Sequence, residues 1–265
     1  MNHASVIPST RPVLFVAWQD QRTKRYFSVG RLLRFANGNA PRYEFCYLRD
    51  VEKAKQSGFT PFPAFPRLDE VYHSHELFPL FENRLMPRSR PDFKEFVERL
   101  GLNSDKADDF EILARSGGRR STDSIELYPL PNLDHDGCYI TYFLIHGIQY
   151  ISANSIERIL RLENDERLRL QWDMDNAADP LALSLRTEDR IVVGYLPRYL
   201  LDDAWQLLSG CEYRPTIRVV QINTPPAPIQ QRVLCRMEAC WPDNFRPYCS
   251  TAYEPLAKSA IQLEC

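Results

Sequence analysis

Phe143-Leu144-Ile145-His146-Gly147-Ile148-Gln149-Tyr150 reads as an apolar strand that stops at a glycine and then presents a polar and an aromatic side chain. Extended upstream, the strand covers residues 139–147, and a short helix follows over 155–161. Arg167-Leu168-Arg169-Leu170-Gln171-Trp172 alternates with period two, the mark of a strand with one buried face. The segment Asp173-Met174-Asp175-Asn176-Ala177-Ala178-Asp179-Pro180-Leu181-Ala182-Leu183 then turns into a strand over 181–185. A further strand, 190–196, contains Val193-Gly194-Tyr195-Leu196-Pro197-Arg198.

Pro197 starts a second helix with Leu200, Leu201, Ala204, Leu207 and Leu208 turned inward and Gly210 as its stop. Strands over 217–222 and 229–240 pair across a proline-rich connection. Six strands with two short helices in about 105 residues predict a small OB-like six-stranded β-barrel over residues 138–245.

Upstream, residues 131–137 combine Pro, Asp and Gly and predict a linker and a domain boundary. Residues 11–130 predict an α+β module: a meander of strands over 13–17, 26–33 and 43–48, helices over 76–85, 92–100 and 107–114, and a returning strand over 124–130. Between Gly58 and Pro66, three prolines alternate with Phe59, Phe62 and Phe65; such a loop cannot supply continuous ladder donors and is expected to lie against the core. Residues 246–265 read as a surface tail or docking segment. The fold class is therefore α+β, an antiparallel sheet with helices followed by the barrel.

The 265 residues are 44% hydrophobic and 26% charged, enough for real cores and unlike a disordered chain. No apolar run approaches the roughly 18 residues a membrane span needs, and residues 1–6 lack a signal-peptide layout, so the expected location is the cytoplasm with no membrane partner. Seven scattered cysteines, an odd number, argue against a secreted disulfide framework and predict reduced thiols. A formal net charge of −2 gives no global attraction to nucleic acid, so any such binding needs a local patch.

Catalytic chemistry finds no convincing foothold. Asp134-His135-Asp136-Gly137 has acid–base residues but the composition of a solvated turn. Cys235, Cys240 and Cys249 lack the C-x₂₋₄-C pairs of structural zinc, so no metal or cofactor is expected. Ser116-Gly117-Gly118-Arg119-Arg120 lacks the glycine spacing and the Lys-Ser/Thr ending of a phosphate-binding loop and reads as a turn with an exposed basic pair.

The three ordered pieces of the second half resemble the HIRAN domain, whose pattern runs from a strand ending in Gly-apolar-Arg-Tyr, through N-x-x-D before a small-residue strand, to a V-G-apolar-apolar-P-like turn into a helix. The resemblance covers about 105 residues and implies an OB-like barrel that binds DNA, single-stranded or at a duplex end, without catalysis of its own. It implies that Tyr150 stacks a terminal base and that Asp179 accepts the proton of a free 3′-hydroxyl. Gln149, Asn176 and Tyr195 fall within the same pieces. Gln149 replaces an arginine and Ala178 a second tyrosine, which removes a phosphate-directed charge and half of the base sandwich. A second rim of Arg167, Arg169, Arg198 and His146 is the other expected route to DNA. The residue chemistry alone leaves a structural alternative in place: Tyr150 as a core aromatic and Asp179 as a cap on its own turn.

The first half resembles the N-terminal subdomain of HipA-type toxin kinases, through Tyr26-Phe27-Ser28-Val29-Gly30-Arg31-Leu32, Leu80-Phe81-Glu82-Asn83-Arg84-Leu85-Met86-Pro87 and Leu113-Ala114-Arg115-Ser116-Gly117-Gly118-Arg119. No counterpart of that family's kinase core follows. This implies a regulatory role, in a toxin–antitoxin or defence setting, with a HipA-like kinase or other protein partner docked on residues 59–65 and the barrel kept as scaffold. The leading expectation remains a DNA-binding targeting or regulatory protein.

Overall fold

The computed structural model describes residues 12–35, 42–133, 138–210, 214–242 and 245–261. In chain order the first half contains β1 (Val13–Gln19), β2 (Tyr26–Phe35), β3 (Arg42–Tyr47), α1 (Val51–Gln56), β4 (Val71–Ser74), α2 (Pro79–Glu82), α3 (Phe93–Arg99), α4 (Asp109–Ser116) and β5 (Ile125–Pro129). The second half contains β6 (Asn132–Leu133), β7 (Cys138–Leu144), α5 (Ala153–Ile159), β8 (Arg167–Trp172), β9 (Leu183–Arg186), β10 (Val192–Tyr195), α6 (Leu201–Gly210), β11 (Thr216–Ile222) and β12 (Val233–Cys240).

The first five strands form an antiparallel sheet in the order β4-β3-β2-β1-β5. Side chains alternate across a strand, and here both faces are buried. Val13, Phe15 and Ala17 of β1, with Leu33 of β2 and Tyr128 of β5, pack into the barrel's core. Leu14 and Val16, with Phe27, Val29, Leu32 and Leu127, pack on the opposite side against Phe110 and Leu113 of α4. Two-sided burial explains why these strands read as apolar runs rather than strict alternations.

That second core also takes in the loop 58–66. Phe59, Phe62 and Phe65 are buried, and the ring of Phe65 stacks on Phe45 at 4.1 Å between centroids. One side chain serves two of the loop's backbone groups: the Tyr47 hydroxyl accepts from Phe62 N–H at 2.8 Å and donates to the Phe65 carbonyl at 2.9 Å. The expected packing against the core holds, and the docking surface expected on residues 59–65 is corrected, since its phenylalanines are committed inward.

The remaining strands follow the order β10-β9-β8-β11-β12-β7-β6. The six longer ones curl until the end of β10 meets the chain beyond β7, where His146 N–H donates to the Tyr195 carbonyl at 3.0 Å and Tyr195 N–H to the His146 carbonyl at 2.9 Å. This bridge closes the ring. Residues 132–133 of the expected linker pair with β7 as a strand, while 134–137, including the Asp134-His135-Asp136 cluster, lie outside the described residues. One apolar cluster runs from Phe15 and Tyr128 of the first sheet to Leu168 and Val219 of the second.

Three local differences from the sequence reading have simple causes. The helix expected over 76–85 is the single turn of α2, opened by Pro79 at its first position. The helix expected from Pro197 begins at Leu201, after a 3₁₀ turn over Arg198–Leu200. Residues 251–261 return to the first sheet: Leu256 N–H donates to the Tyr47 carbonyl at 3.0 Å, and the buried Arg31 guanidinium donates to the Ile261 carbonyl.

Cys249 is disulfide-bonded, which overturns the expectation of uniformly reduced thiols, whereas Cys46 and Cys235 are buried free thiols. Burial pushes the Cys46 thiol up to about 11, so it packs as a small apolar group. No helix among the described residues is long and apolar enough to cross a membrane. Nor do three or more His, Cys, Asp or Glu side chains gather there to hold a metal ion.

Candidate nucleic-acid interface

Where β7 leaves the barrel, Ile145 is buried and His146 makes the closing bridge to Tyr195. Gly147 then takes a left-handed backbone (φ 73), and a Cβ there would lie 2.8 Å from Cδ2 of Tyr195. Opposite it, Gly194 has φ 142, and its Cβ would fall 2.2 Å from Cγ2 of Ile145. Only glycine permits both the backbone and the approach. The chain turns once as a 3₁₀ helix over Ile148–Tyr150, sinking Ile148 into the core and leaving Gln149 and Tyr150 outside. Tyr150 is 80% exposed and is no core aromatic.

Beside this turn stands the loop between β8 and β9, locked by its own side chains. Asn176 Oδ1 accepts from Ala178 N–H at 3.1 Å and Asp179 N–H at 3.0 Å, while its Nδ2 donates to Asp173 Oδ2 at 3.1 Å. Asp179 Oδ1 accepts from Leu181 N–H at 3.0 Å. The Tyr195 hydroxyl donates to Asp173 Oδ2 at 2.9 Å, tying the loop to the bridge residue that faces Gly147. Burial and the Asp173 carboxylate hold the Tyr195 hydroxyl above its ordinary range. Two indoles clamp the far end: Trp172 Nε1 donates to the Pro180 carbonyl at 2.8 Å and Trp205 Nε1 to the Leu181 carbonyl at 3.1 Å.

With backbone groups satisfied from within, large side chains are free to face outward. Trp172 is 47% exposed, Met174 71% and Leu181 49%. With Tyr150 they make four of the five large apolar side chains left exposed among the described residues, so the barrel's apolar exposure concentrates on this loop and the adjoining turn.

The expected cations are placed differently. Arg198 Nε lies 3.1 Å from Asp179 Oδ2, and its Nη2 donates to the Ala178 carbonyl at 2.6 Å. Arg169 is held bidentately by Glu188, at 3.0 and 2.8 Å. His146 Nε2 lies 3.1 Å from Oε1 of Glu126 on β5. Burial opposes the Glu126 charge, but His146 and Arg119 prevail and keep this carboxyl below its usual range. Arg167 alone of the four is exposed without an ion pair among the described residues.

The structure thus joins Tyr195, Asn176, Asp179, Arg198 and His146 through contacts at one end of the barrel, with Gln149 and Tyr150 exposed on the glycine turn that meets Tyr195. It leaves Arg167 and Arg169 on the outer face of β8. Asp179 caps its own turn and pairs with Arg198, the structural role its residue type allows. Trp172, Met174 and Leu181 emerge as site residues the sequence did not single out. Trp172 shares a strand face with the buried Leu168 by the period of two, yet it is exposed at the end of β8.

No family model and no curated protein matches the chain. Two solved structures show local likeness. One, a protein from Lactobacillus plantarum, is 18% identical with a TM-score of 0.31, over 39% of this chain and 97% of its own. The other, the HIRAN domain of human HLTF, is 17% identical with a TM-score of 0.29, over 38% of this chain and 74% of its own. The HIRAN and HipA resemblances accordingly rest on their sequence motifs.

Proposed function

We propose that the chain is a non-catalytic nucleic-acid-binding protein that stacks an unpaired base on Tyr150 at the rim of its barrel. The observation that carries this reading is the exposed Tyr150 ring on a glycine turn that meets Tyr195, itself tied to the loop that carries the outward-facing Trp172. An aromatic held this way offers a face to any base, worth roughly 1–3 kcal/mol per stack. DNA is the expected nucleic acid, on the HIRAN resemblance.

The Asp179 carboxylate is already engaged by Leu181 N–H and Arg198. Stacking is therefore proposed without selection for a free 3′-hydroxyl. Fluorescence anisotropy with labelled single-stranded, 3′-phosphorylated and duplex oligonucleotides tests both parts. The expected result is binding of the two single strands with equal affinity and weaker binding of the duplex. Absence of binding even at low salt overturns the reading, and a loss of affinity on 3′-phosphorylation restores end capture.

A second reading has its own observation. Met174 and Leu181 are exposed and aliphatic, better suited to a protein surface than to bases. On that reading the barrel is a scaffold and the same patch seats a regulatory partner, such as a HipA-like kinase. Oligonucleotides then fail to bind, and Met174→Asp abolishes the protein complex.

A further inference from the structure

We propose that the first half lends the barrel its phosphate-binding charge: two basic turns, one with Arg22, Lys24 and Arg25 and one with Arg119 and Arg120, form a rim that holds the phosphodiester backbone of a strand stacked on Tyr150. The inference rests on the nucleic-acid reading above and names where the missing charge comes from. Two of the barrel's cations at this end are engaged, Arg198 by Asp179 and His146 by Glu126. Gln149 is uncharged. Among the described residues, Arg186 acts through its charge on the Tyr195 hydroxyl, and the barrel brings little other free charge to the aromatic platform.

Both basic turns reach the barrel at this end. The Arg198 guanidinium donates to the Lys24 carbonyl as well as to that of Ala178, bridging the β1–β2 turn to the loop that carries Asn176 and Asp179. Arg119 Nη1 lies 3.4 Å from His146 Nε2, one residue before Gly147. The β1–β2 turn is built to face its cations outward. Its one carboxylate, Asp20, is buried and accepts from Arg22 N–H at 2.9 Å and from the Thr23 hydroxyl, so Arg22, Lys24 and Arg25 remain exposed. Glu126 beneath Arg119 is buried and shared with His146. The exposed Asp175 is the counter-charge that confines the favourable path to the side of the two turns. A net charge of −2 is compatible with this rim, because phosphate attraction is set by charges within about a Debye length of the strand.

The test uses the full chain and a labelled 15-nucleotide oligo-dT, titrated at several salt concentrations. The variants are Arg22→Glu/Arg25→Glu/Arg120→Glu, Tyr150→Ala and Lys106→Glu. Lys106 is the control. It lies two residues from Asp108, which pairs at 2.7 Å with Arg34, eight residues and roughly 26 Å along β2 from Tyr26. The triple variant is expected to bind about tenfold or more weakly than the parent, with its salt slope reduced by about 2, at roughly 0.7 per lost single-strand contact. Lys106→Glu is expected to bind like the parent. If Tyr150→Ala weakens binding but the triple variant matches Lys106→Glu, the rim is overturned while base stacking stands. If the parent itself does not bind, both fall.

Discussion

Two proline-containing loops of this protein turn their large apolar side chains in opposite directions. Residues 58–66 and 172–181 both combine proline with large apolar side chains, and neither pairs as a strand along its length. In the first, Tyr47 lends one hydroxyl to two backbone groups and the three phenylalanines turn into a core. In the second, Asn176, Asp179 and Trp172 of the loop, with Trp205 of α6, serve its backbone groups, and Trp172, Met174 and Leu181 face out. Both loops give their backbone groups partners, and the one that carries three aspartates is the one whose apolar side chains face out. The inward loop serves stability, and the outward loop is available for recognition.

The widest gap between the two is expected in stability. Phe65→Ala removes a ring packed on Phe45 and is expected to cost about 3–5 kcal/mol in a urea titration. A cost near that of a surface substitution contradicts the buried assignment.

A pH dependence comes next. Asp203 on α6 lies below the outward loop, lining a cavity of about 350 Å³ with Leu181, Trp205 and Tyr248. It accepts from the Tyr139 hydroxyl at 3.2 Å. Burial pushes its carboxyl up to about 7, against about 4 in the unfolded chain. Between those values the folded state holds the extra proton, so stability falls as pH rises, by roughly 1.4 kcal/mol per unit, and levels off above about 7. Asp203→Asn is expected to flatten that slope in melts from pH 4 to 8. An unchanged slope assigns it to another group.

A smaller effect follows from the inward loop's backbone. Tyr47→Phe strands the Phe62 N–H and is expected to cost about 1–3 kcal/mol, with the phenylalanine core otherwise kept. Smallest of all, Tyr150→Ala is expected to leave the urea midpoint within about 0.5 kcal/mol of the parent. A larger drop places Tyr150 in the stabilising class of Phe65.

Most of the strands could be read from the chain, because β-branched and aromatic runs bounded by Gly and Pro leave few other options. The six barrel strands and all three of the meander are present, within a few residues. The misses share a cause. Strand β4, Val71-Tyr72-His73-Ser74, is a short edge strand with little apolar content, and α1 is a six-residue helix set by tertiary contacts of Val51 and Ala54. The apolar cluster shared by the two sheets was hidden for another reason. Alternate residues of Val13-Leu14-Phe15-Val16 serve two different cores, which no local pattern distinguishes.

At the site, Gly147 and Tyr150 were legible because a glycine ending a strand has a conformational meaning. The pairing of His146 with Glu126 and of Arg198 with Asp179 was not. Those partners come from remote segments or loops whose approach depends on the closed barrel.

The account turns on whether the outward aromatic face binds bases while contributing nothing to the fold. One paired measurement decides it: anisotropy of labelled oligo-dT and urea unfolding, on the parent and on Tyr150→Ala from the same preparation. The predicted result is an affinity loss of about 5- to 150-fold, the equivalent of about 1–3 kcal/mol, with an unchanged unfolding midpoint. Equal affinity in the two proteins, or no binding by either, contradicts it.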